Sequence, residues 1–252
     1  ENKDKAILSK KLVQLKKDVP VIRNINDFKL NEVDKDKLYK FLREMEFNRL
    51  LSTAISTYGE PNLSSTNEKH EPIKQNQNID KKNYHLIKDA NEIDEWIKEA
   101  TKNKEFVIDT ETSSLDAHQT DLIGISLSTK IGKACYIPIG HKSKGCLKKE
   151  VVLKKLKQIL EDKNIKKIGQ NIKFDFIVLY KQGIQMSSME DTMLMSYVLS
   201  AGKNRHNMDT LSHIHLNHKT ITFKDVVGTG KKEINFSEVD IKKAMEYASE
   251  DA

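Results

Sequence analysis

The chain has 252 residues, 37% of them hydrophobic and 32% charged, with 43 Lys and Arg against 37 Asp and Glu for a net charge of +6. The mean hydropathy is -0.61, no run approaches the ~18 apolar residues of a membrane span, and Glu1-Asn2-Lys3-Asp4-Lys5 lacks the apolar core of a secretory signal, so no membrane association is expected. Cys135 and Cys146 supply neither a disulfide framework nor metal-ligand spacing; both are expected to be reduced and structural, and the excess of positive charge suits a polyanionic partner without specifying one.

Residues 1 to about 58 read as helical. Leu8, Leu12 and Leu15, then Leu38, Phe41, Leu42 and Met45, then Leu50, Leu51 and Ala54 recur at helical spacing, with Pro20 between the first two groups. A packing or connecting element is expected here. From Gly59 to Asn83 the apolar content drops and Pro61, Pro72, Asn and Ser accumulate, marking a linker and a domain boundary. Beyond it, strands are expected at Glu105 to Asp109, Leu122 to Ser128 and Ala134 to Ile139, punctuated by Gly124, Gly132 and Gly140. A helix over Val151 to Leu160, a strand over Ile165 to Gly169 and a helix over Lys173 to Gln182 follow, then helices near Asp191 to Leu199, Met208 to Leu216 and Val239 to Asp251. A three-strand meander followed by alternating helix and strand is an α/β layer pattern. The absence of an initial Met and the stop after Glu250-Asp251-Ala252, inside an expected helix, lead us to expect a fragment of a longer polypeptide.

The chemistry concentrates in three places. Asp109-Thr110-Glu111-Thr112-Ser113 leaves the apolar run Phe106-Val107-Ile108, and the two-residue period of a strand puts Asp109 and Glu111 on one face. Two like charges so placed repel, and a hard divalent cation such as Mg²⁺ or Mn²⁺ is their usual compensation. Asn171-Ile172-Lys173-Phe174-Asp175 adds an acid at a strand-to-helix junction. Tyr247-Ala248-Ser249-Glu250-Asp251 sets a phenol and an acid one helical turn apart. Ile241, Ala244, Met245 and Ala248 form the apolar stripe of that last helix, with Tyr247 and Asp251 on one flank and Glu246 and Glu250 expected on the solvated side. Four carboxylates suffice to hold two divalent ions, the arrangement that clamps the attacking and leaving oxygens of phosphodiester hydrolysis. A nearby tyrosine can aim a water without ionising.

The order Asp-x-Glu, Asn-x-x-x-Asp, Tyr-x-x-x-Asp resembles the three exonuclease motifs of the DEDD superfamily, tyrosine subclass. FVIDTETSSLD, YIPIGH, KIGQNIKFD, EDTMLMSYVL, RHNMDTL, HKTITF and YASEDA, in that order, resemble the 3′–5′ proofreading domain of bacterial, family A, DNA polymerase I from about residue 84 onward. LSKKLVQLKKDV and FLREMEFNRLLS resemble the tail of the preceding 5′ nuclease domain. The resemblance implies an α/β, ribonuclease-H-like fold with a central mixed sheet flanked by helices, plus a small N-terminal helical segment over 1–58, a linker over 59–83 and the exonuclease domain over 84–252, its polymerase domain absent. It implies two divalent ions, Mg²⁺ or Mn²⁺. Asp109, Glu111 and Asp251 would ligate the first, Asp109 would bridge to the second, and Asp175 would reach that one directly or through water. Glu111 and Tyr247 would orient the attacking water. Leu115 matches the residue that wedges against the terminal base, Phe223 its stacking partner, and Gln170, Asn171 and Arg205 match positions near the substrate backbone. Phe174 stands where a tyrosine is frequent. The implied partners are a single-stranded or frayed DNA 3′ end and the polymerase domain of the full-length chain, in a monomeric cytoplasmic, nucleoid-associated protein. Two rivals stay open: an RNA 3′-end processing exonuclease of the same superfamily, and a catalytically silent scaffold or single-strand-binding module.

Other signals read as structural. His206, His213, His215 and His218 cluster, but His213 and His215 diverge on a helix, and a polar surface is expected rather than zinc. Gly228-Thr229-Gly230-Lys231 lacks phosphate-loop spacing and is expected to be a surface loop. Asp191, before Thr192, is expected to cap a helix. Lys148, Lys149, Lys154, Lys155 and Lys157 are expected to be solvated rather than bound to DNA.

Overall fold

Alternating and continuous apolar runs between Tyr84 and Asp191 build a single six-stranded sheet. A computed structural model of the protein describes residues 2–18, 20, 24, 26, 29–30, 32–60 and 83–252, with Lys231 by its backbone alone. The strands are β1 (Tyr84–Leu86), β2 (Glu105–Thr112), β3 (Leu122–Lys130), β4 (Lys133–Pro138), β5 (Lys166–Gly169) and β6 (Met189–Asp191), in the spatial order β1-β4-β3-β2-β5-β6. β3 runs antiparallel to β2 and β4, while β1, β5 and β6 pair in parallel with β4, β2 and β5. This mixed sheet, a meander extended by parallel strands, is the ribonuclease-H-like layout that the resemblance implied.

The two faces of the sheet are covered by different helices. α4 (Ile93–Asn103), α5 (Lys149–Glu161) and α6 (Lys173–Lys181) bury Ile93, Trp96, Leu156, Ile159 and Leu179 against Phe106, Ile108, Ile125 and Leu127. On the opposite face α10 (Ile241–Asp251) lays Ala244 and Ala248 against Ile123, Tyr136, Val226 and Phe236. Small residues on α10 let it lie close to the strands, and that closeness later sets where Tyr247 and Asp251 stand. α7 (Thr192–Ser200), the short α8 (Met208–Leu211) with a π-helical turn over Ser212–Leu216, and α9 (Phe223–Val227) fill the connections. Among the described residues no helix is long and apolar enough to cross a membrane.

Several expectations are refined. The strand expected to end at Asp109 continues to Thr112, so Glu111 is itself within the sheet. β1, α4, β6 and α9 were not anticipated. Gly124 is no punctuation: it lies inside β3, where an added Cβ would stand 2.1 Å from the Tyr136 hydroxyl. The Tyr136 ring occupies the space its missing side chain leaves.

Contacts divide the chain into two units, residues 1–67 and 68–252. In the first, α1 is Lys3–Leu12, α2 Lys35–Glu44 and α3 Asn48–Tyr58. Tyr39, Leu42 and Ala54 join α2 to α3, and the Tyr39 hydroxyl donates to the Gly59 carbonyl at 2.5 Å. α1 buries no residue: Leu8 and Leu12 are exposed, and Leu15 lies beyond the helix, so the expected packing stripe is unpacked. Apart from its ends, the linker expected over 59–83 lies outside the described residues.

Candidate active site

β2 delivers the first two acids on one face, and the Glu111–Gly124 pairing with β3 is followed by a register shift between Glu111 and Thr112. Such a bulge turns the strand end and re-aims its side chains. β5 pairs with β2 only as far as Val107. Thr110 is therefore unopposed on that side, and its N–H and hydroxyl both donate to Asp175 Oδ1, at 2.9 and 2.5 Å.

Asp175 reaches Thr110 because the chain turns sharply after β5. Gly169 admits the close approach of strand and helix, since a Cβ there would stand 3.1 Å from the Ile108 carbonyl and 3.0 Å from Ile172. Asn171 follows at φ 56°, a left-handed conformation that Asn tolerates better than most residues. Its N–H donates to Asp191 Oδ1 at 3.0 Å, and that same oxygen caps α7 through the N–H groups of Met193 and Leu194. Asp191 is thus the expected helix cap. Asp175 sits in the first turn of α6 and is 2% exposed.

α10 brings the remaining pair. Asp240 caps it through the N–H groups of Lys242 and Lys243, and the helix carries Tyr247 and Asp251 one turn apart on the flank that faces the cavity. Asp109, Glu111, Asp175, Tyr247 and Asp251 line one cavity of about 720 Å³. Leu115, Gln170, Asn171, Phe174 and Phe223 line it too. Leu115 is 94% exposed at this cavity, and Phe223 is 45% exposed. Arg205 is exposed and does not line it, whereas the Gln170 amide donates to the carbonyl of the next residue, His206, at 2.7 Å.

Burial dominates the electrostatics. It pushes Asp109 up to about 6, against a donated bond from the Thr110 backbone. Glu111 is held well above the usual carboxylate range by burial and then by the charges of Asp109, Asp251 and Asp175. Asp175 is raised by burial and by Asp109 despite its bonds to Thr110, and Asp251 is raised by burial and Asp109 to about 7. Burial likewise raises the Tyr247 phenol, so it remains a proton donor at neutral pH. Glu111 Oε1 is buried with no hydrogen-bond partner. Hard oxygen donors, crowded and short of counter-charge, fit a hard divalent cation. The cage is not closed in advance: among the described residues no three His, Cys, Asp or Glu side chains already form a metal-holding group.

A protein-family model for the 3′–5′ exonuclease of family A DNA polymerases matches residues 84–252. The chain belongs to that family. DNA polymerase I of Pseudomonas aeruginosa is 34% identical over 258 residues, covering all of this chain and 28% of that protein. DNA polymerase I of Rhizobium leguminosarum is 41% identical over 190 residues, covering 67% of this chain and 19% of its own length. The chain thus spans about a quarter or less of these relatives. Among solved structures, Brucella melitensis NrnC superposes with a TM-score of 0.45 at 23% identity, over 59% of this chain and 66% of its own.

Four contributors to this candidate site escaped sequence reading. Thr110 holds Asp175. Phe236 lines the cavity beneath Phe223, their rings stacked at 6.1 Å and 10°. The Asn235 amide donates to the Ser113 carbonyl at 2.8 Å, tying the cavity wall to the segment that carries Leu115. Glu250, expected on the solvated side, has a side chain only 2% exposed and pairs with His218 Nε2 at 3.2 Å. His218 is therefore a structural partner rather than plain polar surface. Of the lysines, Lys155 pairs with Asp94 at 2.7 Å and Lys157 donates to the Gly183 carbonyl at 2.6 Å. Both serve the fold.

Proposed function

We propose that residues 84–252 hydrolyse the 3′-terminal phosphodiester of DNA, releasing 5′-monophosphates, in a proofreading role. The observation that carries this reading is the convergence of four carboxylates from three elements, Glu111 and Asp175 buried and Asp109 and Asp251 partly so, on one cavity walled by exposed Leu115 and half-exposed Phe223. An acidic pocket of this kind repels a phosphate chain unless cations are bound, and flat apolar walls accept any base by stacking. A frayed single-stranded end enters such a cavity; a paired end does not.

Asp109, Glu111, Asp175 and Asp251 would hold two divalent cations, Mg²⁺ or Mn²⁺, which when bound supply Lewis-acid stabilisation of charge on the attacking and leaving oxygens. The protein's own groups do the rest. Glu111 Oε1, buried and without a partner, accepts a hydrogen bond from the attacking water. Tyr247, kept protonated by burial, donates to that water or to Asp251. Thr110 fixes Asp175 in one orientation. Leu115 and Phe223 seat the terminal base, while Gln170, Asn171 and, from outside the cavity, Arg205 steer the backbone.

Residues 1–58 read best as the helical tail of a 5′ nuclease domain and 59–83 as a linker, supported by alignment of the whole chain within a DNA polymerase I. A polymerase domain would then follow in the full-length, monomeric, cytoplasmic and nucleoid-associated protein. Degradation of DNA and RNA oligonucleotides of one sequence without thymine or uracil tests the substrate, because the 2′-hydroxyl is then the only difference. Faster loss of the DNA is expected. Preference for RNA would make the chain an RNA 3′-end processing enzyme, and binding without cleavage would make it a scaffold.

A further inference from the structure

The stacking wall and the carboxylates lie on different elements, and something must hold them in register. Phe223 opens α9, and α9 is tied to α10 at two points. At its C-terminal end, Lys243 Nζ donates to the carbonyls of Asp225 and Val226, at 2.6 and 3.1 Å. At its N-terminal side, Glu250 Oε2 accepts the Ile221 N–H, and Oε1 pairs with His218 Nε2 at 3.2 Å. Between the ties, the Phe223 ring meets Tyr247 edge-on at 6.2 Å and stacks on Phe236. Thr222 and Asp225 close a capping box that starts α9 at Phe223. Ile221 and Phe223 are two residues apart, so a fixed Ile221 N–H fixes the entry of the ring.

We propose that Glu250 is a positioning residue that sets Phe223 against the carboxylate cluster, and so governs seating of the 3′-terminal base rather than the chemical step. It stands beside Asp251 and one turn beyond Tyr247, so one helix carries an acid of the cluster, its tyrosine and the anchor of the stacking ring. A solvated glutamate at that position would leave the 217–222 segment tied to α10 by apolar contact alone. The inference rests on the proposal that the cavity takes a 3′ nucleotide.

The test uses the 252-residue chain and a single-stranded oligonucleotide ending in 2-aminopurine, whose fluorescence reports stacking, with Ca²⁺ in place of the catalytic ion for binding and with Mn²⁺ for turnover. Glu250→Ala is expected to lose the fluorescence change as Phe223→Ala does, and to raise KM about tenfold with a much smaller fall in kcat. Glu250→Gln, whose amide oxygen still accepts the Ile221 N–H, is expected to recover most of the signal. The double variant Glu250→Ala with Phe223→Ala is expected to be no worse than either single variant. Additive losses, or a wild-type fluorescence change in a folded Glu250→Ala, would overturn the inference. If Glu250→Ala does not fold, His218→Ala, which removes one arm of the tie, carries the same comparison. Failure of the unaltered protein to bind or shorten the oligonucleotide would instead overturn the proposed function, and the inference with it.

Discussion

Thr110 shows how much of this site depends on a residue without obvious chemistry. It sits between Asp109 and Glu111, yet its N–H and hydroxyl fix the third acid, Asp175. Outer partners of metal ligands are typically worth about 10–100-fold in affinity or activity. Thr110→Val, which keeps the shape and the N–H bond, should lower Mg²⁺-dependent cleavage by about tenfold or more; steady-state rates on a 3′-labelled strand measure this. The raised acids also fix a pH dependence. Asp109 and Asp251 move from 3.8 to about 6 and about 7 on folding, so the folded state binds protons more tightly than the unfolded one. Their contribution is fully stabilising below about pH 4 and is lost as pH rises through about 7. Asp251→Asn removes one such group, so its melting temperature should gain on the unaltered protein between pH 4 and 8 in chelator. A constant difference across that range would contradict the assignment. The four carboxylates were legible in the sequence because their spacing encodes strand, junction and helix turn. Glu250 was not, because a helical wheel fixes angles about one axis and says nothing of the 217–222 segment that covers the other side.

Six elements with clear periodicity match the type expected of them, the shortest elements carry no such signal, and α4 is the exception. β2, β3, β4, α5, β5 and α6 carry alternating, continuous or helically spaced apolar residues. β1 and β6 have three residues each, too few for any period. α4 had a legible signal, since Ile93, Trp96 and Ala100 recur at helical spacing, but it was passed over in the run from linker to first strand. Gly124 has no reading at the level of its own strand, because its size is set by Tyr136 across the ladder. Gly124→Ala should therefore overpack the sheet and cost about 1–3 kcal/mol, measured by denaturant unfolding. A neutral substitution would mean that the ring has room to move.

The division of the chain into two units assigns the chemistry to one of them, since every acid of the site lies in residues 68–252. Removal of residues 1–67 should then leave the rate of 3′-end hydrolysis within about twofold, as expected for units that each pack on their own core. Across the molecule, family, sheet and acids were readable because each is written in local pattern. The aromatic wall and its ties were not, because Phe223, Phe236 and Asn235 meet only through folding. The proposed chemistry needs the acids of β2 and α6 to act together on a DNA 3′ end. Time courses on a 3′-mismatched primer in Mn²⁺ test it most directly, with products resolved nucleotide by nucleotide. Stepwise loss of 5′-monophosphates from the 3′ end is expected, faster for the mismatch than for a paired terminus, and abolished in both Asp109→Ala and Asp175→Ala. A normal rate in either variant would contradict it.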